Sequence, residues 1–438
     1  MQTPIARIAE GLVVDDLQKT TFKVNRRAFT DPSVLEAERK LVFDQCWLYV
    51  GHESELPEPG AFIKRKVGGR PVIFVRDDAG ELRVFFDTCS HRGNTLGTAA
   101  THGKTNRFVC FYHGWTFSTR GDLINVPDQM AYGECFDRKQ LGLGSPPRID
   151  SYRGLVFMSM KADIVDLKTY LGATTEYIDD MIDLTDSEMA IAPGQQSYSM
   201  KANWKLLVEN SADAYHAPFT HQRFFTQFIK DIGADLTAWA KMAQQTTDNR
   251  VVGFEYGHAV MDVPAGPLPM NASNPELLTD LRQKLTAKYG PERVARMMDR
   301  SRNLVIFPNL ILISAWRTIR TFYPTSPDYM EIEAWALVGK NDAPELREMR
   351  YNNFIAFLGP AGFGTPDDVE ALDRCQKGFA ATEMAWTDLS KGMGRPGGAL
   401  ANDEFQMRTM WRQWATLMDP QFVPSGEKSN VMATGNQG

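Results

Sequence analysis

The sequence predicts an α+β fold: a small antiparallel β domain inserted near the start of a larger α+β domain, whose antiparallel sheet is covered by helices. Three observations carry this. Between Gly60 and Met160, short runs rich in Val, Ile and Phe (AFIKRKV, PVIFVR, LRVFFD) are separated by Gly-Gly and Asp-Asp-Ala-Gly turns, as hairpins are. Apolar residues at helical spacing flank that stretch on both sides. Further on, NLVIFPNLILISAWRTIRTFYP and MEIEAWALVG alternate like strands. At 438 residues the chain has length for two or three domains and a sizeable core.

In chain order, residues 1–45 read as a polar helical arm that packs with the larger domain, with Pro32 in a first helical turn. Residues 46–160 form the β domain, and 161–424 the larger one. In the latter, LKTYLGATTEYIDDMIDL and ANWKLLVENSADAYHA are helical. Asn274-Pro275-Glu276 and Pro291-Glu292 each open a helix, and DEFQMRTMWRQWATLMD closes the domain with another. Residues 425–438 read as a disordered tail.

Forty-eight basic residues against fifty-four acidic ones give a net charge of −6, without a basic block that could track a phosphate backbone, which argues against nucleic-acid binding. The longest apolar stretch, Leu304 to Trp316, is broken by Pro308 and Asn309 and falls short of the roughly 20 residues of a membrane helix. MQTPIARIAEGLVVDD carries charges where a signal peptide needs an apolar run, so a cytoplasmic location is expected. Five cysteines, an odd number, argue for reduced thiols or metal ligands and against a disulfide framework.

Four of the seven histidines fall into two patterns. The first is Cys89-Ser90-His91, eighteen residues, then Cys110-Phe111-Tyr112-His113. Each loop supplies one thiolate and one imidazole, whereas a zinc finger usually pairs its cysteines on one loop. Two Cys and two His divided in this way suit the two irons of a Rieske [2Fe–2S] centre. Gly93 and Gly114 follow the ligand pairs, where backbone must approach a cluster closely. Two buried structural cysteines with incidental histidines, or a structural zinc of two Cys and two His, are the competing accounts.

The second pattern lies in Asn203 to His221. His216 and His221 are five apart, about 140° around a continuous helix, and share a metal only if the helix ends between them. Pro218 is expected to supply that break. Two histidines plus a carboxylate form the facial triad of non-heme Fe(II) oxygenases. The acidic stretch after Gly364 offers Asp367 and Asp368, with Thr365 as N-cap and Pro366 as first helical residue, although acids there also complement a helix dipole. Asp213, three residues before His216, is placed to accept its second ring N–H. Asn210 and Glu209 fall on or beside the same face.

CSHRGNTL and CFYHGWTF closely resemble the two Rieske loops of aromatic ring-hydroxylating oxygenases, large (α) subunit. The resemblance runs from the β domain to the aspartate pair and is nearest to the branch acting on aromatic acids such as benzoate, cumate, salicylate or terephthalate. It implies Cys89, His91, Cys110 and His113 as ligands of one [2Fe–2S] cluster, and His216, His221 and Asp368 as ligands of one mononuclear iron, with Asp367 in reserve. It implies Asp213 as a catalytic residue, bridging to a Rieske histidine of the neighbouring subunit, most simply His113; Asn210, from its place on the same helix face, is expected to act beside it. Trp115 is expected where an electron donor docks. The implied reaction is cis-dihydroxylation of an aromatic ring with O2. No dinucleotide fingerprint or plant-type ferredoxin cysteine run is present, so electrons from NADH must come through a separate reductase, with or without a ferredoxin. The implied assembly is an α3 homotrimer, or α3β3 with a small β subunit.

For the substrate, Phe219, Phe224, Phe225, Phe228, Phe354, Phe357 and Phe363 would line an apolar pocket. Arg317 or Arg320, on an expected inner strand, would clamp a substrate carboxylate. A monooxygenase or demethylase with the same metals is the alternative enzyme, and an electron carrier or zinc-stabilised binding module the alternative outside catalysis.

Overall fold

The computed structural model describes residues 8–97, 100–231, 249–265, 275–396 and 398–427. The chain divides into two compact units, one of residues 43–167 and one of the segments on either side of it. The expected α+β class with an inserted antiparallel β domain is what the chain adopts.

The N-terminal arm departs from the expected helix. β1 (Val13–Asp16) and β2 (Thr21–Asn25) form an antiparallel hairpin ahead of α1 (Arg27–Thr30) and α2 (Pro32–Leu41). The hairpin wins because Val13, Phe22 and Val24 alternate inward and are buried, which a strand satisfies and a helix does not. Asp31 caps α2 by accepting the Ser33 N–H at 2.9 Å, with Pro32 at the first position.

The inserted unit holds three small antiparallel sheets. β4 (Ala61–Val67), β5 (Arg70–Arg76), β6 (Leu82–Phe86) and β7 (His102–Lys104) pair in the order β6-β5-β4-β7. β8 (Arg107–Val109), β9 (Thr116–Ser118) and β10 (Leu123–Asn125) form the second sheet; β3 (Leu48–His52), β11 (Arg148–Tyr152) and β12 (Leu155–Ser159) form the third. Ile73, Val75, Phe85, Phe108 and Phe117 build one apolar core, and Cys89 and Cys110 lie within it.

The larger unit is organised on an eight-stranded antiparallel sheet. It comprises β13 (Met189–Ile191), β14 (Gln196–Met200), β15 (Arg250–Gly253), β16 (Ala259–Pro264), β17 (Arg300–Ile306), β18 (Leu310–Ile313), β19 (Thr318–Ser326) and β20 (Tyr329–Gly339). Strands 13, 20, 19, 18, 17, 16 and 15 lie side by side, and β14 pairs with the other half of the long β20. The helices are α3 (Leu167–Leu171), α4 (Thr174–Ile182), α5 (Trp204–Ser211), α6 (Ala217–Thr220), α7 (Gln222–Asp231), α8 (Pro275–Tyr289), α9 (Pro291–Met298), α10 (Pro344–Phe357), α11 (Thr365–Gly378) and α12 (Phe405–Met418). β21 (Trp386–Asp388) extends the N-terminal hairpin. Asn274, expected to open α8, lies outside the described residues, as do residues 428–438 of the expected disordered tail. Its first residues, 425–427, are ordered against expectation, because Ser425 N donates to Asp15 Oδ2 at 2.9 Å and Glu427 pairs with Arg408 and Arg412.

α5 is fixed to the sheet through one face of β19. Phe322 packs on Trp204 with ring centroids 6.4 Å apart, and Arg320, two residues earlier on the same face, reaches Ser211 at the end of α5. Asn203 starts the helix: its Oδ1 accepts from Lys205 N, while its Nδ2 donates to the Phe29 and Pro327 carbonyls.

His258, fully buried before β16, donates from Nε2 to the Tyr170 carbonyl at 2.8 Å and accepts the Phe307 N–H on Nδ1 at 3.0 Å. These bonds fit only the neutral ring, and burial pushes its pKa down to about 4 from 6.5. The folded state therefore binds this proton more weakly than the unfolded chain. Its stability is full above pH 6.5 and lost as pH falls toward 4, by about 2 kcal/mol between pH 7 and pH 5. Denaturant titrations at both values should show this loss in the wild type and lack it in His258→Asn; equal losses in the two would refute the assignment.

Candidate active site: two metal-ligand clusters

The two Cys-His loops repeat one backbone pattern. Cys89 N donates to the Asn94 carbonyl and Gly93 N returns to the Cys89 carbonyl, both at 2.8 Å. Cys110 N donates to Trp115 O at 2.8 Å and Gly114 N returns to Cys110 O at 2.9 Å. The turn requires positive φ at its glycine, +75° at Gly93 and +72° at Gly114. At Gly93 that dihedral, rather than lack of space, sets the requirement, because a Cβ there would meet nothing nearer than 3.7 Å.

The loops bring both thiols, each at most 3% exposed, against two imidazoles. The His91 and His113 rings lie 4.6 Å apart, and His91 stacks on Trp115 at 4.7 Å and 8°. Nδ1 of each histidine is buried without a hydrogen-bond partner among the described residues. Backbone N–H groups of His91 and Arg92 point at Cys89 sulfur, and those of Tyr112 and His113 at Cys110 sulfur, as thiolate ligands need. Two sulfurs and two orphaned Nδ1 atoms fit a [2Fe–2S] cluster with mixed ligation. Trp115, expected on a docking surface, is 4% exposed and serves as the floor under His91; Phe111, at 89%, is the exposed aromatic of this loop.

In the larger unit, α5 ends earlier than the sequence suggests, at Ser211 and not at Pro218. The Ser211 hydroxyl bonds back to the Leu207 carbonyl at 2.5 Å, Asp213 N turns to Asn210 O, and Asp213 Oδ1 accepts the Tyr215 N–H at 2.6 Å. Pro218 instead sits in the first turn of α6, which carries His216 at its N-cap and His221 at its C-cap. α11 begins one residue before expectation, with Gly364 as N-cap, because the Thr365 hydroxyl is engaged by the Gly359 N–H.

These segments converge. One ligand atom each from His216, His221 and Asp368 lie within 4.8 Å of one another. Asp368 Oδ1 is 3.5 Å from His216 Nε2 and 3.3 Å from His221 Nε2. Asp367, the other sequence candidate, lies outside this triangle, its Oδ2 3.6 Å from the far nitrogen, His221 Nδ1. Asp213 Oδ2 is 3.1 Å from His216 Nδ1, which turns Nε2 toward Asp368. Asn210 Nδ2 donates to Asp368 Oδ1 at 3.1 Å. Glu209, expected beside it, faces away: it accepts the Trp411 indole N–H at 2.6 Å, and burial pushes its pKa to about 8.

Burial opposes charge on His216, but Asp213 and Asp368 outweigh it and lift its pKa to about 9. Asp368, although buried, is held well below the usual carboxylate range by the two histidines. Two carboxylates around two imidazoles create a demand for positive charge that a divalent cation meets, so the residues fit a mononuclear iron.

Next to His221 lies an aromatic cluster. Phe357 is 5.2 Å from its ring, Trp316 stacks on Phe357 at 4.5 Å and 6°, and Phe224 lies 4.9 Å from Phe357 and 6.1 Å from Phe363. Phe224, Phe357 and Phe363 were expected here. Phe219 is 73% exposed and Phe354 is buried with Tyr351 beside it; the side chains of Phe225 and Phe228 lie outside the described residues. Trp316 was missed, the one available signal being its position just before Arg317. Arg317 is not on a strand but in the turn after β18, with φ +51°. Burial and the neighbouring Arg350 push its pKa down to about 9. Arg320 is on β19 as expected, and buried.

Fold and sites together define an oxygenase with a Rieske cluster and a mononuclear iron. Residues 46–146 match the Rieske [2Fe-2S] domain, and residues 190–420 match the ring hydroxylating alpha subunit catalytic domain. The chain is 32% identical to the 2-halobenzoate 1,2-dioxygenase large subunit of Burkholderia cepacia, covering 89% of this chain and 84% of that one. It is 32% identical to the toluate 1,2-dioxygenase subunit alpha of Pseudomonas putida, covering 87% and 84%. Naphthalene 1,2-dioxygenase from Rhodococcus sp., solved with indole bound, superposes with a TM-score of 0.79 at 27% identity over 92% of this chain and 95% of that one. The chain therefore belongs to the ring-hydroxylating dioxygenase α-subunit family, and its cofactors are one Rieske [2Fe–2S] cluster and one mononuclear iron. Among the described residues no helix is long and apolar enough to cross a membrane.

Proposed function

We propose that this chain cis-dihydroxylates the ring of an aromatic carboxylate, joining one O2, two electrons and two protons to a ring double bond. The observation that carries the reading is the convergence of His216, His221 and Asp368 beside the cluster of Trp316, Phe357 and Phe224. The names of the 2-halobenzoate, toluate and anthranilate dioxygenases among its relatives support the acid substrate class.

In this reading Cys89, His91, Cys110 and His113 hold the [2Fe–2S] cluster, and His216, His221 and Asp368 hold the iron. When bound, the two groups supply single electrons and dioxygen activation. Asp213 fixes the His216 ring through Nδ1, Asn210 orients Asp368, and the aromatic cluster stacks the substrate ring and excludes water. NADH-derived electrons supplied through a separate reductase, with or without a ferredoxin, and assembly as α3 or as α3β3 with a small β subunit, belong to the same proposal. So does a cytoplasmic location.

Iron and acid-labile sulfide per chain test the cofactor assignment. About three irons to two sulfides, with a reduced Rieske resonance after dithionite, is the expected result; zinc without sulfide would overturn it. With 18O2, both label atoms should appear in one product, and a single retained label would make the enzyme a monooxygenase. Asp213→Asn should keep both metals yet lower turnover by about 10–100-fold, as losing the partner of a ligating histidine does. Unchanged turnover would remove Asp213 from the site.

A further inference from the structure

Among the described residues five arginines are buried: Arg302, Arg320, Arg350, Arg408 and Arg412. Four of them hold a carboxylate within 3.2 Å: Arg302 binds Asp180 and Asp262, Arg350 binds Asp342, Arg408 binds Glu427, and Arg412 binds Asp15 and Glu427. Arg320 is the exception. It is 4% exposed, its Nη2 donates to the Ser211 hydroxyl at 2.7 Å, its Nε is buried without a hydrogen-bond partner, and no carboxylate of the described residues pairs with it. A buried guanidinium charge without a counter-ion is costly, so Arg320 is a cation in need of an anion.

Its position says which anion. Ser211 follows Asn210, the residue whose Nδ2 contacts Asp368 and lies 3.3 Å from His216 Nε2. The Ser211 hydroxyl is oriented by its own bond to Leu207 O, which leaves its lone pairs toward Arg320. The guanidinium is thus tied to the end of α5 that carries the metal-site residues. Arg317 also has a buried Nη1 without a hydrogen-bond partner among the described residues, but it lies in the turn after β18 against the Asp342–Arg350 pair, where the Asp342 charge partly offsets its own, and no bond ties it to α5.

Resting on the aromatic-acid reading above, we infer that Arg320 is the specificity-determining receptor of the substrate carboxylate, and that Arg317 is not. Arg320 then selects aromatic acids over neutral arenes of the same shape by supplying, at the end of α5, a buried positive charge that no carboxylate of the described residues neutralises.

Calorimetric binding of benzoate and of methyl benzoate to the holoenzyme separates the possibilities. Arg320→Gln should weaken benzoate at least about 30-fold and the ester less than about threefold, the size of a lost buried charge pair, and Arg317→Gln should leave the acid-to-ester preference within about threefold. Iron and sulfide contents confirm that each variant is assembled. If Arg320→Gln does not assemble, Arg320→Lys carries the test: it should keep a preference for the acid, and a lysine variant that binds both equally overturns the inference. Equal losses of acid and ester in assembled Arg320→Gln would reduce Arg320 to a brace for α5, and a selective loss in Arg317→Gln would move the receptor there. Should the wild type oxidise neutral arenes and bind no benzoate, the aromatic-acid reading itself fails.

Discussion

His221→Ala is expected to abolish ring oxidation while leaving the Rieske centre intact. His221 is the most buried of the three clustered ligands, its side chain 3% exposed against 21% for His216 and 9% for Asp368. Its Nε2 faces Asp368 Oδ1, and Phe357 closes the other side of the ring. Alanine leaves two ligands on two separate segments and an apolar gap where the third stood. Changing a mere orienting partner of a metal ligand typically costs 10–100-fold in affinity or activity, so losing a ligand should cost at least about 100-fold. Iron per chain should fall from about three to about two, with sulfide held at about two. The resonance of the reduced cluster should persist, because its ligands lie in the inserted unit. A His221→Ala protein that retains the third iron and its turnover would exclude this histidine from the metal site.

The largest loss of stability is expected from Glu38→Gln. Glu38 and Lys205 are each wholly buried and pair at 2.5 Å. Glu38 also accepts the indole N–H groups of Trp204 at 2.7 Å and Trp414 at 2.8 Å. The Lys205 ammonium lies 5.0–6.0 Å from the ring centres of Trp204, Phe29, Trp414 and Trp411. Burial lowers the Lys205 pKa, and Glu38 is the foremost of the groups that raise it again. Removing the carboxylate strands a cation among aromatic rings, a change of the kind that costs about 3–5 kcal/mol. Pairing it with Lys205→Met takes away the stranded charge, and the double variant should regain more than half of the loss. Denaturant midpoints of the two single variants and the double one decide this; a double variant as unstable as the sum of the singles would mean the pair is not coupled.

Much of the site was legible because its chemistry is written within short windows. Cys89 and His91, Cys110 and His113, and His216 and His221 each sit a few residues apart, and the β runs of the inserted unit announce their turns. What the sequence hid depends on partners far along the chain. The N-terminal hairpin is completed by β21, more than 350 residues later. The direction of Glu209 is decided by Trp411. The early end of α5 follows from a serine hydroxyl turning back on its own helix, which no apolar periodicity reports. The sequence offers Arg317 and Arg320 alike as a carboxylate clamp, and only the bond from Arg320 to Ser211, with no carboxylate beside it among the described residues, separates the two.

The anchoring of α5 also sets a schedule for biosynthesis. Lys205 is neutralised by Glu38 of α2, far upstream, and shielded by Trp411 and Trp414 of α12, far downstream. A nascent chain cannot seat this helix until α12 has left the ribosome. Among the described residues the strands of the inserted unit pair with one another, so they can close while synthesis continues. The histidines downstream of α5 are consequently a late-maturing part of the protein, later than the strands of the inserted unit.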